Sequence, residues 1–170
     1  MRLFLAIKFN ESIKEVLLTI QERWHNLGVR GRFIRSENLH LTLAFIGEYN
    51  NPEDIMDALS PVSFAPFVIK IDGAGNFYDT YWAGIAPNDD LFQCVRRIRH
   101  ALAENTIPYD RKKFLPHITL VRNAQFPAGI APLLEHLPVA GMKVEKIDLM
   151  RSDRGKNGMI YTAIGRLLAE

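Results

Sequence analysis

The unit His-apolar-Thr-Leu occurs twice in this chain of 170 residues, as His40-Leu-Thr-Leu43 and as His117-Ile-Thr-Leu120, 77 residues apart. Each sits in a short apolar run with the composition of a strand. On the two-residue period of a strand, His40 and Thr42 share one face while Leu41 and Leu43 share the other, and His117 and Thr119 are placed in the same way. A core face prefers aliphatic side chains, and a solvent face has little use for an imidazole beside a hydroxyl.

The text around the two units repeats as well, and an internal repeat constrains a fold more than any single element. Arg2 to Phe9 reads as a strand ending at a helix cap, Asn10, followed by Ile13, Val16, Leu17, Ile20 and Trp24 at helical spacing. Tyr81 to Ala86 is the second strand of this kind. Asn88 is its cap, Asp89 and Asp90 the acidic first turn, and Leu91, Val95, Ile98 and Leu102 the apolar stripe. Asn10 precedes His40 by 30 residues and Asn88 precedes His117 by 29. A short helical segment follows each His strand, over 52–59 and 130–137. Then comes Lys-Ile-Asp, at Lys70-Ile-Asp72 and Lys146-Ile-Asp148, 30 and 29 residues after the histidines.

Order, caps and spacing together predict a duplicated strand-helix-strand-helix-strand unit. The glycines of Asp72-Gly-Ala-Gly-Asn76 mark the joint, and a polar turn over 151–158 precedes a last strand from Met159 to Ile164. The expected fold is α+β. Two pseudo-symmetric lobes, approximately 1–76 and 77–170, each carry a mostly antiparallel sheet with helices on the outer face, and a cleft lies between them.

Composition narrows the setting. With 48% hydrophobic and 24% charged residues the chain is an ordinary folded domain, and its net charge of +2 does not suit a protein that coats nucleic acid. A pI near 8.7 still permits a local basic cleft. The lone cysteine, Cys94, excludes an intramolecular disulfide and a cysteine-rich metal site, which points to a reducing cytoplasm. The apolar run Leu3 to Ile7 is too short for a signal-peptide core or a membrane span.

A pseudo-twofold would set His40 opposite His117 and Thr42 opposite Thr119. Histidine can hold or lack a proton near neutrality, so one ring can take a proton while the other gives one. Threonine hydroxyls donate hydrogen bonds without competing for that proton. Such a set suits a phosphodiester displaced in line, and Arg122 is the natural extra phosphate donor because its guanidinium matches phosphate oxygens. Strict alternation puts Arg122 on the face away from His117, so a bulge or twist is required. The same distortion in the first copy would bring Phe45 into the cleft, where it could stack on a nucleobase.

Glu37-Asn-Leu-His-Leu-Thr-Leu-Ala-Phe-Ile-Gly47, Pro116-His-Ile-Thr-Leu-Val-Arg122 and Leu149-Met-Arg-Ser152 resemble the bacterial and archaeal RNA 2′,3′-cyclic phosphodiesterases. These proteins, also called 2′-5′ RNA ligases, belong to the 2H phosphoesterases, and the likeness spans essentially the whole chain. It implies hydrolysis of an RNA 2′,3′-cyclic phosphate to a 2′-phosphate without metal or cofactor. His40 would be the proton donor, His117 the proton acceptor, and Thr42, Thr119 and Arg122 the phosphate ligands. Ala44 departs from the resemblance, since many relatives carry lysine there. Arg151 and Tyr161 match relatives, although no chemistry requires them.

The expected partners are RNA with a cyclic phosphate end, tRNA fragments or small cyclic nucleotides, acted on by a monomer. Reversible 2′-5′ joining and a non-catalytic RNA-binding module are the alternatives. Trp24 and Trp82 read as core. Arg32, Arg35, Arg111, Lys112 and Lys113 read equally well as the mouth of the cleft or as loop charges. Asp72 and Asp148 could enter the site only through the fold.

Overall fold

Asn10 and Asn88 start the two long helices as their sequence predicts. The Asn10 side chain accepts the Ile13 amide at 2.9 Å and the Asn88 side chain accepts the Leu91 amide at 3.0 Å, a cap worth about 1 kcal/mol each. In the computed structural model, which describes residues 1–170, these helices are α1 (Glu11–Leu27) and α3 (Asp89–Glu104), with a shorter α2 (Pro52–Leu59) between them. Gly28 closes α1 in the left-handed conformation, at φ 113°, where a Cβ would be strained.

Nine strands complete the fold. The first copy of the repeat supplies β1 (Arg2–Lys8), β2 (Arg30–Phe33), β3 (His40–Glu48) and β4 (Phe67–Phe77). The second supplies β5 (Thr80–Ile85), β6 (His117–Gln125), β7 (Ala140–Val144), β8 (Lys146–Gly155) and β9 (Gly158–Leu168). They form two antiparallel sheets, ordered β3-β1-β8-β9 and β2-β6-β5-β4-β7. Only a 3-10 turn over Ala131–Leu134 stands where the second short helix was expected.

The repeat is present, but its halves are not the lobes. The strand carrying Lys70-Ile-Asp72 pairs with β5 of the second copy, and the strand carrying Lys146-Ile-Asp148 pairs with β1 of the first. Each copy therefore gives the strand that carries its Lys-Ile-Asp to the other copy's sheet. A boundary at 76/77 divides the sequence repeat without dividing the sheets. Hydrogen-bonding edges, which a sequence pattern does not display, decide the partner.

One continuous apolar core contains Leu3, Leu5 and Ile7 of β1, Leu41 and Leu43 of β3, Ile118 and Leu120 of β6, and the buried stripes of all three helices. Trp24 is fully buried in it, with its indole N–H donated to the Leu133 carbonyl at 3.2 Å. A smaller cluster of Phe4, Ala6 and Met150, packed with Phe45 and Tyr161, lies on the opposite face of the first sheet. No helix is long and apolar enough to cross a membrane.

Candidate active site

Both His strands break their alternation at the same place. In β3, Thr42 is opposite Ala6 and Ala44 is opposite Leu5, so Leu43 is an extra residue without a partner. In β6, Thr119 is opposite Trp82 and Val121 is opposite Tyr81, so Leu120 is the extra residue. A bulge of this kind shifts every later side chain to the other face. Leu41 and Leu43 remain in the core and Ala44 joins them. Phe45 then emerges against Phe4 on the cleft side, the rings stacked with centroids 6.5 Å apart. In the second copy Val121 is buried and Arg122 turns outward to the cavity that contains His117. The break required for Arg122 and Phe45 is thus one bulge, built twice.

The two histidines are held in the same way. His40 Nδ1 lies 2.7 Å from the Asn38 carbonyl and His117 Nδ1 lies 2.6 Å from the Leu115 carbonyl. A carbonyl only accepts, so Nδ1 carries the hydrogen in each neutral ring and Nε2 is left as the proton-exchanging atom. Thr42 Oγ1 is 3.0 Å from His40 Nε2. Each ring also meets an aromatic edge. Tyr161 lies 5.3 Å from His40 at 86°, and Phe77 lies 4.8 Å from His117 at 82°.

His40, Thr42, His117, Thr119 and Arg122 line one cavity of about 80 Å³, together with Ile34, Asn38 and Tyr161. This is room for a phosphoryl group and not for a nucleoside. No carboxylate lines it, and nowhere in the structure do three His, Cys, Asp or Glu side chains gather as a metal site. Burial holds the His40 imidazole below the ordinary histidine pKa. The Asn38 carbonyl works against that shift, while the charges of Arg122 and His117 add to it.

Two grooves share lining residues with the cavity. One arm, about 600 Å³, shares Thr42 and His117 with the cavity and is walled by Phe45, Phe77 and Phe114, with Lys112, Lys113 and Arg99 at its margin. The other, about 640 Å³, shares Asn38, Arg122 and Tyr161 and adds Arg32, Arg35 and Arg154 with no carboxylate. Of the five cations flanking the motifs, Arg32, Arg35, Lys112 and Lys113 therefore line the cleft. Arg111 instead lies over the Tyr109 ring, 5.0 Å from its centroid.

Trp82 is not core as expected. It is half-buried on β5, with its ring 6.1 Å from that of His117. Asp148 is buried and bound by Arg166 at 2.7 and 3.4 Å, and neither Asp148 nor Asp72 reaches the cavity. The sequence offers no chemistry that requires Tyr161 and no signal for Asn38. Tyr161 comes from the last strand, and Asn38 acts through a backbone carbonyl, for which no residue type is a signal.

The sequence profile of the 2′-5′ RNA ligase superfamily matches residues 16–156. The chain is 32% identical to the RNA 2′,3′-cyclic phosphodiesterase of Archaeoglobus fulgidus, over 95% of this chain and 96% of that protein. It is 28% identical to the protein of the same name from Thermotoga maritima, over 96% and 93%. Among solved structures it is similar to Escherichia coli LigT complexed with 3′-AMP, with a TM-score of 0.82 and 26% identity, covering 99% of this chain and 96% of that one.

Proposed function

Because the chain belongs to the 2′-5′ RNA ligase superfamily, we propose that it hydrolyses the 2′,3′-cyclic phosphate at an RNA end to a 2′-phosphate. The observation that carries this reading is the cavity itself, where two histidines meet two threonines and an arginine with no competing carboxylate. His117 Nε2 takes a proton from water as its oxygen attacks phosphorus. The bond to the 3′ oxygen breaks, and His40 Nε2 gives that oxygen its proton. Thr42, Thr119 and Arg122 hold the nonbridging oxygens, where charge grows as the new bond forms. After release, the two histidines return to their starting protonation through solvent.

In this reading Phe45, which lines the aromatic arm, stacks on the terminal base. The arginine arm suits the phosphates of the chain behind it, which favours an RNA oligomer over a cyclic mononucleotide. Joining through a 2′-5′ bond uses the same groups with an RNA 5′-hydroxyl in place of water. Two grooves adjoining the cavity, with room for more than one RNA end, favour this second reaction.

Incubating a defined RNA ending in 2′,3′-cyclic phosphate with the protein and a chelator is expected to yield a 2′-phosphate. A 3′-phosphate product, loss of turnover on chelation, or binding without turnover would contradict the proposal. Replacing Arg32 and Arg154 with glutamate is expected to raise KM for the oligomer, and to flatten its salt dependence, while sparing a 2′,3′-cyclic mononucleotide. Equal effects on both substrates would remove the arginine arm from the account.

A further inference from the structure

The two bulges are each clamped by a side chain from the other copy of the repeat, and these side chains occupy equivalent positions. Gln21 and Arg99 each lie eleven residues after their helix caps, Asn10 and Asn88. Gln21 Nε2 donates to the carbonyl of Leu120, the extra residue of β6, at 2.9 Å. Its other hydrogen goes to the carbonyl of Ile34, also at 2.9 Å. Arg99 Nη2 donates to the carbonyl of Leu43, the extra residue of β3, at 3.3 Å, and Nη1 to the carbonyl of Lys112 at 2.8 Å.

Each clamp therefore holds two things together. One is the bulge that turns a side chain into the cleft. The other is the segment that leads to the opposite histidine, because Ile34 precedes His40 and Lys112 precedes His117. Backbone bonds repeat the pattern, with the Ile34 amide on the Leu120 carbonyl at 2.9 Å and the Asp110 amide on the Phe45 carbonyl at 2.7 Å. Gln21 is a polar side chain only 6% exposed on the apolar face of α1, a position that packing alone would give to an aliphatic residue. Arg99 is similarly committed, with its Nε buried and unpartnered and its guanidinium over the Tyr109 and Phe114 rings.

We infer that Gln21 and Arg99 are positioning residues, Gln21 fixing the β6 bulge so that Arg122 faces the cavity and Arg99 fixing the β3 bulge so that Phe45 faces the aromatic arm. Neither touches the reacting atoms. The pair also ties the approach to each histidine to the strand bearing the other, so the two half-sites are set as one unit. The inference uses the proposed phosphodiesterase activity as one readout, and affinity for adenosine 2′-monophosphate as a second that needs no turnover.

Gln21→Met keeps the bulk and removes both donors. It is expected to lower kcat/KM and weaken 2′-monophosphate binding about tenfold, and to have little further effect in an Arg122→Ala background. A purely structural role would cost the same factor in both backgrounds. Arg99→Lys keeps the charge but not the fork, and is expected to show a smaller loss that disappears in a Phe45→Ala background. This second cycle decides the matter if Gln21→Met fails to fold. Losses of equal size with and without Arg122 or Phe45, or no loss at all, overturn the inference. Absence of turnover by the wild-type protein would sink the proposed activity, while the binding cycle would still test the clamps.

Discussion

The half-sites around His40 and His117 share a frame and differ in chemistry. Both present the same strand, with Nδ1 tied to a carbonyl two residues back, a threonine two residues on, a bulge after the threonine and an aromatic edge against the ring. After the bulge one strand delivers an aromatic ring, Phe45, and the other a guanidinium, Arg122. His40 is the more buried ring, with its pKa lowered. In the proposed reaction, duplication supplies the symmetry that sets two proton-exchanging nitrogens about one phosphorus. On the same proposal, divergence within the fixed frame gives one side to the base and the other to the phosphate.

The shared part of the frame carries the largest expected effects. His40→Ala and His117→Ala are each expected to lower kcat by about 10²- to 10⁴-fold, the usual worth of a positioned proton transfer. Thermal melts of both variants should match the wild type, since neither ring belongs to the apolar core. Single-turnover assays on a cyclic-phosphate RNA read the loss. Retained turnover in either variant would break the symmetry of roles.

The divergent positions come next. Arg122→Ala is expected to cost roughly a hundredfold in kcat/KM whatever the terminal base, because it removes a charge-assisted donor to phosphate. Phe45→Ala is expected to cost about tenfold, mostly in KM and in a manner that varies with the base, as stacking does. If the two substitutions gave the same base dependence, the division of labour between the strands would fail.

The pH dependence tests the asymmetry of the rings. The kcat/KM profile is expected to be bell-shaped, and the limb that reports loss of the proton from His40, the acid, is expected to lie at lower pH than an ordinary histidine would set it, because burial disfavours the charged ring. Arg122→Ala removes a neighbouring positive charge, which favours protonated His40, so that limb is expected to move to higher pH. A limb that stays fixed or moves down would place the lowered pKa elsewhere. Smallest are the aromatic edges. Tyr161→Leu and Phe77→Leu are each expected to lower kcat about two- to tenfold, the scale of an aromatic pair. A much larger loss from Tyr161 alone would assign its hydroxyl a direct part in catalysis.

Much of this was legible in the sequence, and the reasons for the rest are physical. The caps, the apolar stripes and the paired His-x-Thr units follow local rules, and the structure keeps all of them. The exchange of the Lys-Ile-Asp strands was hidden because Lys70-Ile-Asp72 reads the same whichever edge β4 joins. The bulges left a trace, since Leu43-Ala44 and Leu120-Val121 are consecutive apolar pairs where alternation would have set one residue of each on the cleft face. Gln21 left one too, as a polar residue on an apolar stripe. Asn38 and Leu115 act through backbone carbonyls and left none. Trp82 reads most simply as core, and only its placement beside His117 corrects that.

The most direct test of the two-histidine account uses an RNA 2′,3′-cyclic phosphate whose bridging 3′ oxygen is replaced by sulfur. A thiolate leaves without being protonated, so the acid becomes dispensable while the base does not. The account expects His40→Ala to recover most of its lost rate on this substrate and His117→Ala to stay inactive. Recovery by His117→Ala instead, or by neither variant, would contradict it.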